Sequence, residues 1–234
     1  MKKTEDKHFW FVHKRRLINH FIGKYAKTDS LKVFDSGCGT GRDIYDFKDG
    51  IGMDISFNGL MLCGENCRMK VCGSVNEIPF KSSSFDVLLS MDVLQHEGVD
   101  EKNAVREYSR VLKKNGIVIL NLPAIDSIYS YHDFSVETRH RYSRMEIKRL
   151  LKSDFEIMEM VFWNGIFFLP GVFSRTIISK LDSYVQKSDV SEVSKTTNLA
   201  GDIGLRIESI FTLSGILPVG FSLLTVGKKR NKRA

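Results

Sequence analysis

The stretch Val33-Phe34-Asp35-Ser36-Gly37-Cys38-Gly39-Thr40-Gly41 constrains this chain more than any other. An apolar run passes without a break into a loop with glycine at three alternate positions. Two demands require glycine there: unusual φ angles in a sharp turn, and close approach of a ligand to the backbone. A dinucleotide site uses Gly-x-Gly-x-x-Gly, with a pyrophosphate at the N-terminus of the following helix. Here the spacing is Gly-x-Gly-x-Gly, and Asp35 stands two residues before the first glycine. A carboxylate repels a pyrophosphate and suits a ligand carrying an ammonium group and hydroxyls. The loop spacing and Asp35 together disfavour a nicotinamide-dependent oxidoreductase. A second apolar run, residues 50–54, ends in Asp54, seventeen positions after Gly37. A carboxylate at such a strand end can accept hydrogen bonds from both hydroxyls of a ribose.

The surrounding chain alternates strand and helix patterns. Residues 31–35, 50–54, 85–91 and 116–122 read as strands. Residues 101–112 place Ala104, Val105, Tyr108, Val111 and Leu112 on one helical face. This alternation predicts an α/β fold with a parallel sheet covered on both sides. The turn 113–116 is expected to stop that helix, with Asn115 or Gly116 left-handed. Residues 143–152 read as a helix in which Ser143 is the N-cap and Glu146 completes a capping box. Residues 154–162 and 222–227 read as further strands. The segment 163–216 between them is too long for a hairpin and is expected to carry two or more helices, with a polar break at 187–198. Near the start, residues 8–25 read as an amphipathic helix, with Trp10, Leu17 and Phe21 at helical spacing and Lys14, Arg15 and Arg16 between them. The apolar stretch 165–181 reads as a core helix, an oligomer surface or a cap over a hydrophobic substrate.

Composition matters where it bears on partners. The formal charge is +7, and part of it sits in Lys228, Lys229, Arg230, Lys232 and Arg233. Such a tail is a solvated end, or a contact with nucleic acid or an anionic membrane. No secretory signal opens the chain and no apolar run is long enough to span a membrane, so a cytoplasmic, reducing setting is expected. Cys63 and Cys67 are four apart, but no second pair completes a zinc site, and no metal is expected.

These motifs resemble the class I S-adenosylmethionine-dependent methyltransferases, and within them the type 11 methyltransferase domain. Asp35 to Gly41 resembles their first motif. Gly52-Met53-Asp54-Ile55-Ser56 resembles the ribose-binding strand end. Residues 73–80, with Ser74 and Val75, resemble the segment that holds the adenine. Residues 83–87 and Asp92 to His96 resemble the fourth strand and its loop, and Arg106-Glu107 with residues 110–116 resemble the helix and turn before strand five. The matches run in order from residue 33 to 122. His8 to Phe11 with Arg15, His132-Asp133, His140-Arg141-Tyr142 and Pro218 to Ser222 are similar to a bacterial and archaeal subgroup.

The resemblance implies a Rossmann-like, mostly parallel seven-stranded sheet with helices on both faces and a helical insertion before the last strand. It implies an N-terminal amphipathic helical lid over residues 1–30 and a cofactor-binding core over 31–162. The insertion then spans 163–216, the last strand 217–228 and a basic tail 229–234. S-adenosyl-L-methionine is the implied cofactor and S-adenosyl-L-homocysteine its product. The residues implied to hold it are Asp35, Gly37, Cys38, Gly39, Gly41, Asp54, Ile55, Ser74, Val75, Met91, Asp92 and Leu94. Ser74 departs from the family, which usually carries Asp there, so adenine contact falls more on backbone and on apolar neighbours.

Methyl transfer from a sulfonium is an in-line displacement, so the protein mainly binds and aims the reactants. Whether a base is needed depends on the acceptor. His96 and His140 are the candidate catalytic residues; His132, Asp133, Arg141 and Tyr142 are candidates for substrate contact. Trp10, Phe11 and Tyr142 can shield a sulfonium by cation–π contact, or be plain core. The expected acceptor is a small molecule, with a hydrophobic or lipid-linked one and peripheral membrane contact left open. The chain is expected to act as a monomer or homodimer. The alternatives are an RNA methyltransferase, which the pI of about 9.2 allows, and a non-catalytic cofactor-binding protein. Asn121-Leu122-Pro123-Ala124 does not match the Asn-Pro-Pro-Tyr signature of nucleic-acid enzymes, which makes nucleic acid the less favoured partner.

Overall fold

The computed structural model describes residues 2–26, 30–64, 67, 69–125, 138–166 and 194–231. The helices are α1 (Lys2–Lys7), α2 (Phe9–Tyr25), α3 (Phe57–Leu62), α4 (Glu101–Val111), α5 (Arg144–Leu151) and α6 (Lys195–Leu213). The strands are β1 (Val33–Ser36), β2 (Ile51–Asp54), β3 (Met69–Cys72), β4 (Phe85–Met91), β5 (Leu112–Pro123), β6 (Phe155–Trp163) and β7 (Ser222–Lys229). They form one seven-stranded sheet in the order β3-β2-β1-β4-β5-β7-β6. The first five strands are parallel, and β7 lies antiparallel between β5 and β6. The Rossmann-like architecture expected from the sequence is the one observed.

Side chains alternate across the sheet because successive Cβ atoms point to opposite faces. Val33, Val87, Leu89, Ile117 and Ile119 face one way and pack against Leu17, Ile18, Phe21 and Ile22 of α2. Phe34, Leu88, Val118 and Leu120 face the other way, against Ala104, Val105 and Tyr108 of α4 and Ile147 and Leu151 of α5. Each fully buried side chain of this size contributes roughly 1.5–3 kcal/mol. Covered on both faces, these strands read as unbroken apolar runs.

Local signals behave largely as expected. Ser143 caps α5, accepting from Glu146 N while Glu146 reaches back to the Ser143 backbone, a complete capping box. Asn115 is the left-handed residue, at φ +63°. The expected helix-stopping turn at 113–116 is different in kind. Leu112 already pairs with Phe85, and pairing resumes at Ile117 with Val87, so the segment bulges out of a strand that starts where α4 ends. β3 was not legible in the sequence pattern: it is four residues at the sheet edge, and none of them is buried. The expected polar break at 187–198 overlaps the start of α6, where Ser194 caps the helix by accepting from Thr197 N. β6 extends to Trp163, one residue into the expected insertion, and residues 167–193 of that insertion lie outside the described residues. So does most of the apolar stretch 165–181 and the end of the basic tail, 232–234.

The N-terminal helices are tied to α6. Asn198 of α6 accepts from Phe9 N at 2.8 Å and donates to Lys7 O at 2.8 Å, and Arg16 pairs with Asp202 at 2.5 Å. Between them His13 is 1% exposed, and neither ring nitrogen has a hydrogen-bond partner among the described residues. Burial first, and Arg16 second, push its pKa down to about 4, with Asp202 opposing. The unfolded chain therefore takes up this proton near pH 6.5 and the folded chain only near pH 4. Stability falls as pH drops through that window, by about 3 kcal/mol in full. In urea unfolding, the stability advantage of wild type over His13→Gln should shrink by about 2 kcal/mol between pH 7 and pH 4.5. A difference that does not move with pH would show that His13 is not the titrating group.

Candidate active site

The parallel strands end together at β1, β2 and β4, and the glycine loop lies across those ends. Gly37, Gly39 and Gly41 all have positive φ, at +90°, +51° and +71°. Gly37 is also crowded: a Cβ there would lie 2.3 Å from Val93 Cγ2. The loop is tied to the end of β2. Gly37 N and Cys38 N both donate to Met53 O, at 2.7 and 2.9 Å. Gly39 N donates to Asp54 Oδ2 and Ser56 N to Asp54 Oδ1, each at 2.8 Å. Asp54 thus braces the loop through Oδ2 and the start of α3 through Oδ1, with one lone pair from each oxygen. A carboxylate oxygen accepts more than one bond, and Asp54 is half-exposed, so both oxygens remain able to receive hydroxyls.

Asp35 lies deeper, 1% exposed, and its Oδ1 has no hydrogen-bond partner among the described residues. Burial first, then the nearby Asp43, raise its pKa well above the ordinary carboxylate range, while Lys14 opposes. A buried carboxylate oxygen with an unused acceptor position fits a ligand's ammonium group. Asp92 follows β4 at φ +56°, a conformation costing a non-glycine residue about 1–2 kcal/mol. Two bonds to Asn121 hold it there: its backbone N donates to Asn121 O at 2.9 Å, and Asn121 Nδ2 donates to its carboxylate at 2.8 Å. Burial raises its pKa, with Lys14 the largest opposing influence. Asn121 Oδ1 in turn accepts from Trp163 Nε1 at 2.7 Å.

Lys14 and Asp43 were not singled out in the sequence, and the structure brings them into this site. Lys14 pairs with Asp43 at 2.7 Å, and both side chains are almost fully buried. Burial pulls its pKa down, but Asp43, Asp92 and Asp35 outweigh that and hold it above the ordinary lysine value. Its ammonium lies 5.3 Å from the Trp10 ring and 5.7 Å from the Phe11 ring. The available signal was its position: Trp10, Lys14, Leu17 and Phe21 share one helical stripe, so the charge falls on the buried face. Two further ties join the N-terminal helices to this loop. Thr40 donates to Glu5, and Arg42 pairs with Asp6 at 2.5 Å.

The remaining candidates divide. Met91 and Leu94 are buried beside Val93. Val75 is buried, whereas Ile55 is 77% exposed at the strand end. Ser74 is half-buried and its Oγ accepts from Asn76 N at 3.2 Å, a local turn that occupies the hydroxyl in part. Cys38, Cys63 and Cys67 are buried behind the loop, and Cys63 Sγ contacts Gly39 O at 3.0 Å. His96 is half-buried, its backbone N donating to Val93 O at 3.2 Å. His140 lies elsewhere: its ring is 4.2 Å from that of Tyr142 and its Nε2 is 3.9 Å from Glu101. Both line a groove of about 510 Å³ between α4 and α5 that shares no residue with the glycine loop. Tyr142 is 1% exposed, with its hydroxyl donating to Glu101 at 2.7 Å, the plain-core alternative of the two readings. Arg141 is buried and donates to Ala124 O at 3.1 Å, at the end of β5. His132 and Asp133 lie outside the described residues. Among the described residues, no group of three or more His, Cys, Asp and Glu side chains is placed to hold a metal, and no helix is long and apolar enough to cross a membrane.

Comparison with known proteins agrees with this fold. Residues 34–120 match the family model described as a methyltransferase domain. An uncharacterized protein of Methanocaldococcus jannaschii is 30% identical over 182 residues, covering 74% of this chain and 76% of that protein. Among solved structures, the chain matches the protein assigned as a methyltransferase in a complex with the Haloferax volcanii Trm112 methyltransferase activator. That match has a TM-score of 0.63 at 18% identity and covers 100% of this chain and 94% of the other. Haemonchus contortus phosphoethanolamine N-methyltransferase 2, solved in complex with S-adenosyl-L-methionine, matches with a TM-score of 0.56 at 16% identity, over 90% of this chain and 51% of the other.

Proposed function

The chain belongs to the class I S-adenosylmethionine-dependent methyltransferases, and on that premise we propose that it methylates a small, apolar acceptor received beneath α2. One observation carries the cofactor reading. A glycine loop is braced on the carboxylate of Asp54, and the buried Oδ1 of Asp35, without a hydrogen-bond partner among the described residues, lies at the end of the neighbouring strand. Asp54 would hold the ribose, and Asp35 with the loop backbone the amino-acid portion. Ile55, Ser74 and Val75 would border the adenine, and Met91, Asp92 and Leu94 would complete the cleft. The bound cofactor supplies an electrophilic methyl group; the chain supplies position and the exclusion of water.

The acceptor reading rests on what surrounds the cleft. Trp10 and Phe11 on α2, with Trp163 5.3 Å from Trp10, offer an apolar wall. On α6, Leu199, Ile203, Ile207 and Ile210 form an exposed apolar row, which supports a hydrophobic or lipid-linked acceptor delivered at that surface. For a hydroxyl acceptor, His96, on the same loop as Val93, is the favoured base, and His140 follows a segment bonded to that loop, Arg139 N donating to Gln95 O at 2.8 Å. The four free cysteines support a cytoplasmic setting.

The test has two parts. Calorimetric titration with S-adenosylhomocysteine should show binding that weakens as pH falls, because burial and the nearby Asp43 raise the pKa of the Asp35 carboxylate that meets the ammonium. No binding at any pH would end the cofactor reading. Turnover should then appear with apolar phenols or isoprenoid-linked alcohols and not with bulk tRNA, read as homocysteine-nucleoside product. Turnover on tRNA alone would replace the small-molecule reading with an RNA one.

A further inference from the structure

We propose that Cys38 and Cys67 are a site of reversible oxidation, forming a disulfide under the glycine loop that lowers the chain's affinity for its cofactor. The bond itself stands on the thiol geometry; its consequence for binding rests on the cofactor reading above. Cys38, Cys63 and Cys67 are far apart or on different elements in the sequence, yet all three are buried behind the loop, at 8%, 0% and 2% exposure. Gly52 on β2 makes room for two of them. A Cβ there would lie 2.6 Å from Cys38 Sγ and 2.8 Å from Cys67 Sγ, so both sulfurs occupy the space that a side chain would need. The two thiols hydrogen-bond each other across that space. Cys63 is engaged differently, its Sγ donating to Gly39 O at 3.0 Å.

The three sulfurs are not equivalent. The hydrogen bond from Cys38 lowers the pKa of Cys67 to about 7 against the opposing effect of burial, and the Gly52 N–H and the Lys70 ammonium add to the lowering. The same hydrogen bond, and then burial, raise Cys38, while burial raises Cys63. Cys67 is therefore the sulfur that ionises, and Cys38 the neighbour that keeps its proton: an attacking thiolate beside a resolving thiol. With hydrogen peroxide as oxidant, the Cys67 thiolate attacks one peroxide oxygen, the O–O bond breaks, and hydroxide leaves and takes up the proton that Cys67 had released. The Cys38 thiol then attacks the sulfenic sulfur; the S–S bond forms, the S–O bond breaks, and its oxygen leaves with the Cys38 proton as water. Two electrons pass from the two sulfurs to the peroxide, and two waters are made. Cys38 stands between Gly37 and Gly39, whose N–H groups lie on Met53 O and Asp54 Oδ2. A disulfide holds its sulfurs well inside the contact distance of two thiols. Forming it draws Cys38 toward Cys67 and strains the loop against those two acceptors, which are the ones that shape the cofactor cleft.

The test oxidises the intact wild-type chain with hydrogen peroxide, blocks the remaining thiols and maps the peptides by mass spectrometry. A Cys38–Cys67 disulfide should appear, and calorimetry should show S-adenosylhomocysteine binding at least about tenfold more weakly, with affinity restored by dithiothreitol. Saturating S-adenosylhomocysteine during the oxidation should slow the bond's formation by about tenfold or more, because a ligand that binds the unstrained loop opposes the strained one. Reduced Cys67→Ser should bind within about threefold of wild type and keep that affinity through peroxide. Cys72→Ser, which alters the exposed cysteine, should respond to peroxide as wild type does. A Cys63–Cys67 bond in place of Cys38–Cys67, or an affinity loss that persists in Cys67→Ser, overturns the proposal. So does a Cys38–Cys67 bond that leaves affinity unchanged. The wild-type map and the ligand protection decide the matter even if Cys67→Ser fails to fold. If reduced wild type binds no S-adenosylhomocysteine, the cofactor reading falls and the bond's consequence with it; if it binds and the bond does not form or costs no affinity, this inference alone falls.

Discussion

Gly37→Val is expected to abolish cofactor binding, with no S-adenosylhomocysteine heat detectable at concentrations that saturate wild type, and to lower stability by about 3 kcal/mol. Two costs combine. The backbone at φ +90° lies in a region that β-branched residues avoid, at roughly 1–3 kcal/mol. The new side chain also begins 2.3 Å from Val93 Cγ2, far inside contact distance. Val93 is buried in the core cluster that also holds Phe34, Leu88 and Leu94, and cannot simply move aside. The strain must then be relieved by the loop, whose N–H groups at Gly37 and Cys38 lie on Met53 O. The clash and the dihedral cost can be separated. Gly37→Ala should be milder, and adding Val93→Ala should recover part of its stability by making room, while leaving the dihedral cost. If Val93→Ala recovers nothing, close packing at this point is not what requires glycine.

Asp54→Ala is expected to weaken S-adenosylhomocysteine binding by about 100–1000-fold, the loss of two charge-assisted bonds to hydroxyls. The chain itself should lose only about 1–2 kcal/mol, because Gly39 N and Ser56 N sit near the surface and water can replace the carboxylate. That contrast identifies a ligand-binding acid: a large change in affinity beside a small change in unfolding midpoint. The deoxyribose analogue of the ligand gives a further check. Wild type should discriminate against a missing hydroxyl, and Asp54→Ala should discriminate far less. An Asp54→Ala chain that binds normally would remove the ribose from this strand end.

What could be read from the sequence was whatever is encoded within a few residues. The glycine loop and Asp35 are adjacent in the chain, Asp54 ends the next strand, and Ser143 and Glu146 form their cap across one helical turn. The alternating strand and helix pattern was legible because both sheet faces are buried, which leaves the strands apolar throughout. β3 escaped because it is short and pairs on one side only, so little burial shaped its sequence. Lys14 escaped for another reason. Its partners lie at positions 35, 43 and 92, and nothing within α2 announces them. Tyr142 was open between a place beside a sulfonium and plain core, and its hydroxyl belongs to Glu101 at the start of α4. An aromatic ring says that burial is wanted and leaves open where.

The position of β7 bears on how this molecule is made. Ser222–Lys229 slots between β5 and β6, pairing with both along nearly its whole length. A ribosome therefore releases the two strands that need it long before it releases the strand itself. Until then β5 and β6 each present a bare edge of backbone donors and acceptors, a template for mispairing with other chains. The glycine loop and Asp54 emerge early, but the sheet that holds them becomes continuous only when this late segment threads home. Substitutions in β7, outside the glycine loop and Asp54, should accordingly surface as poor yield of folded protein before they surface as poor affinity.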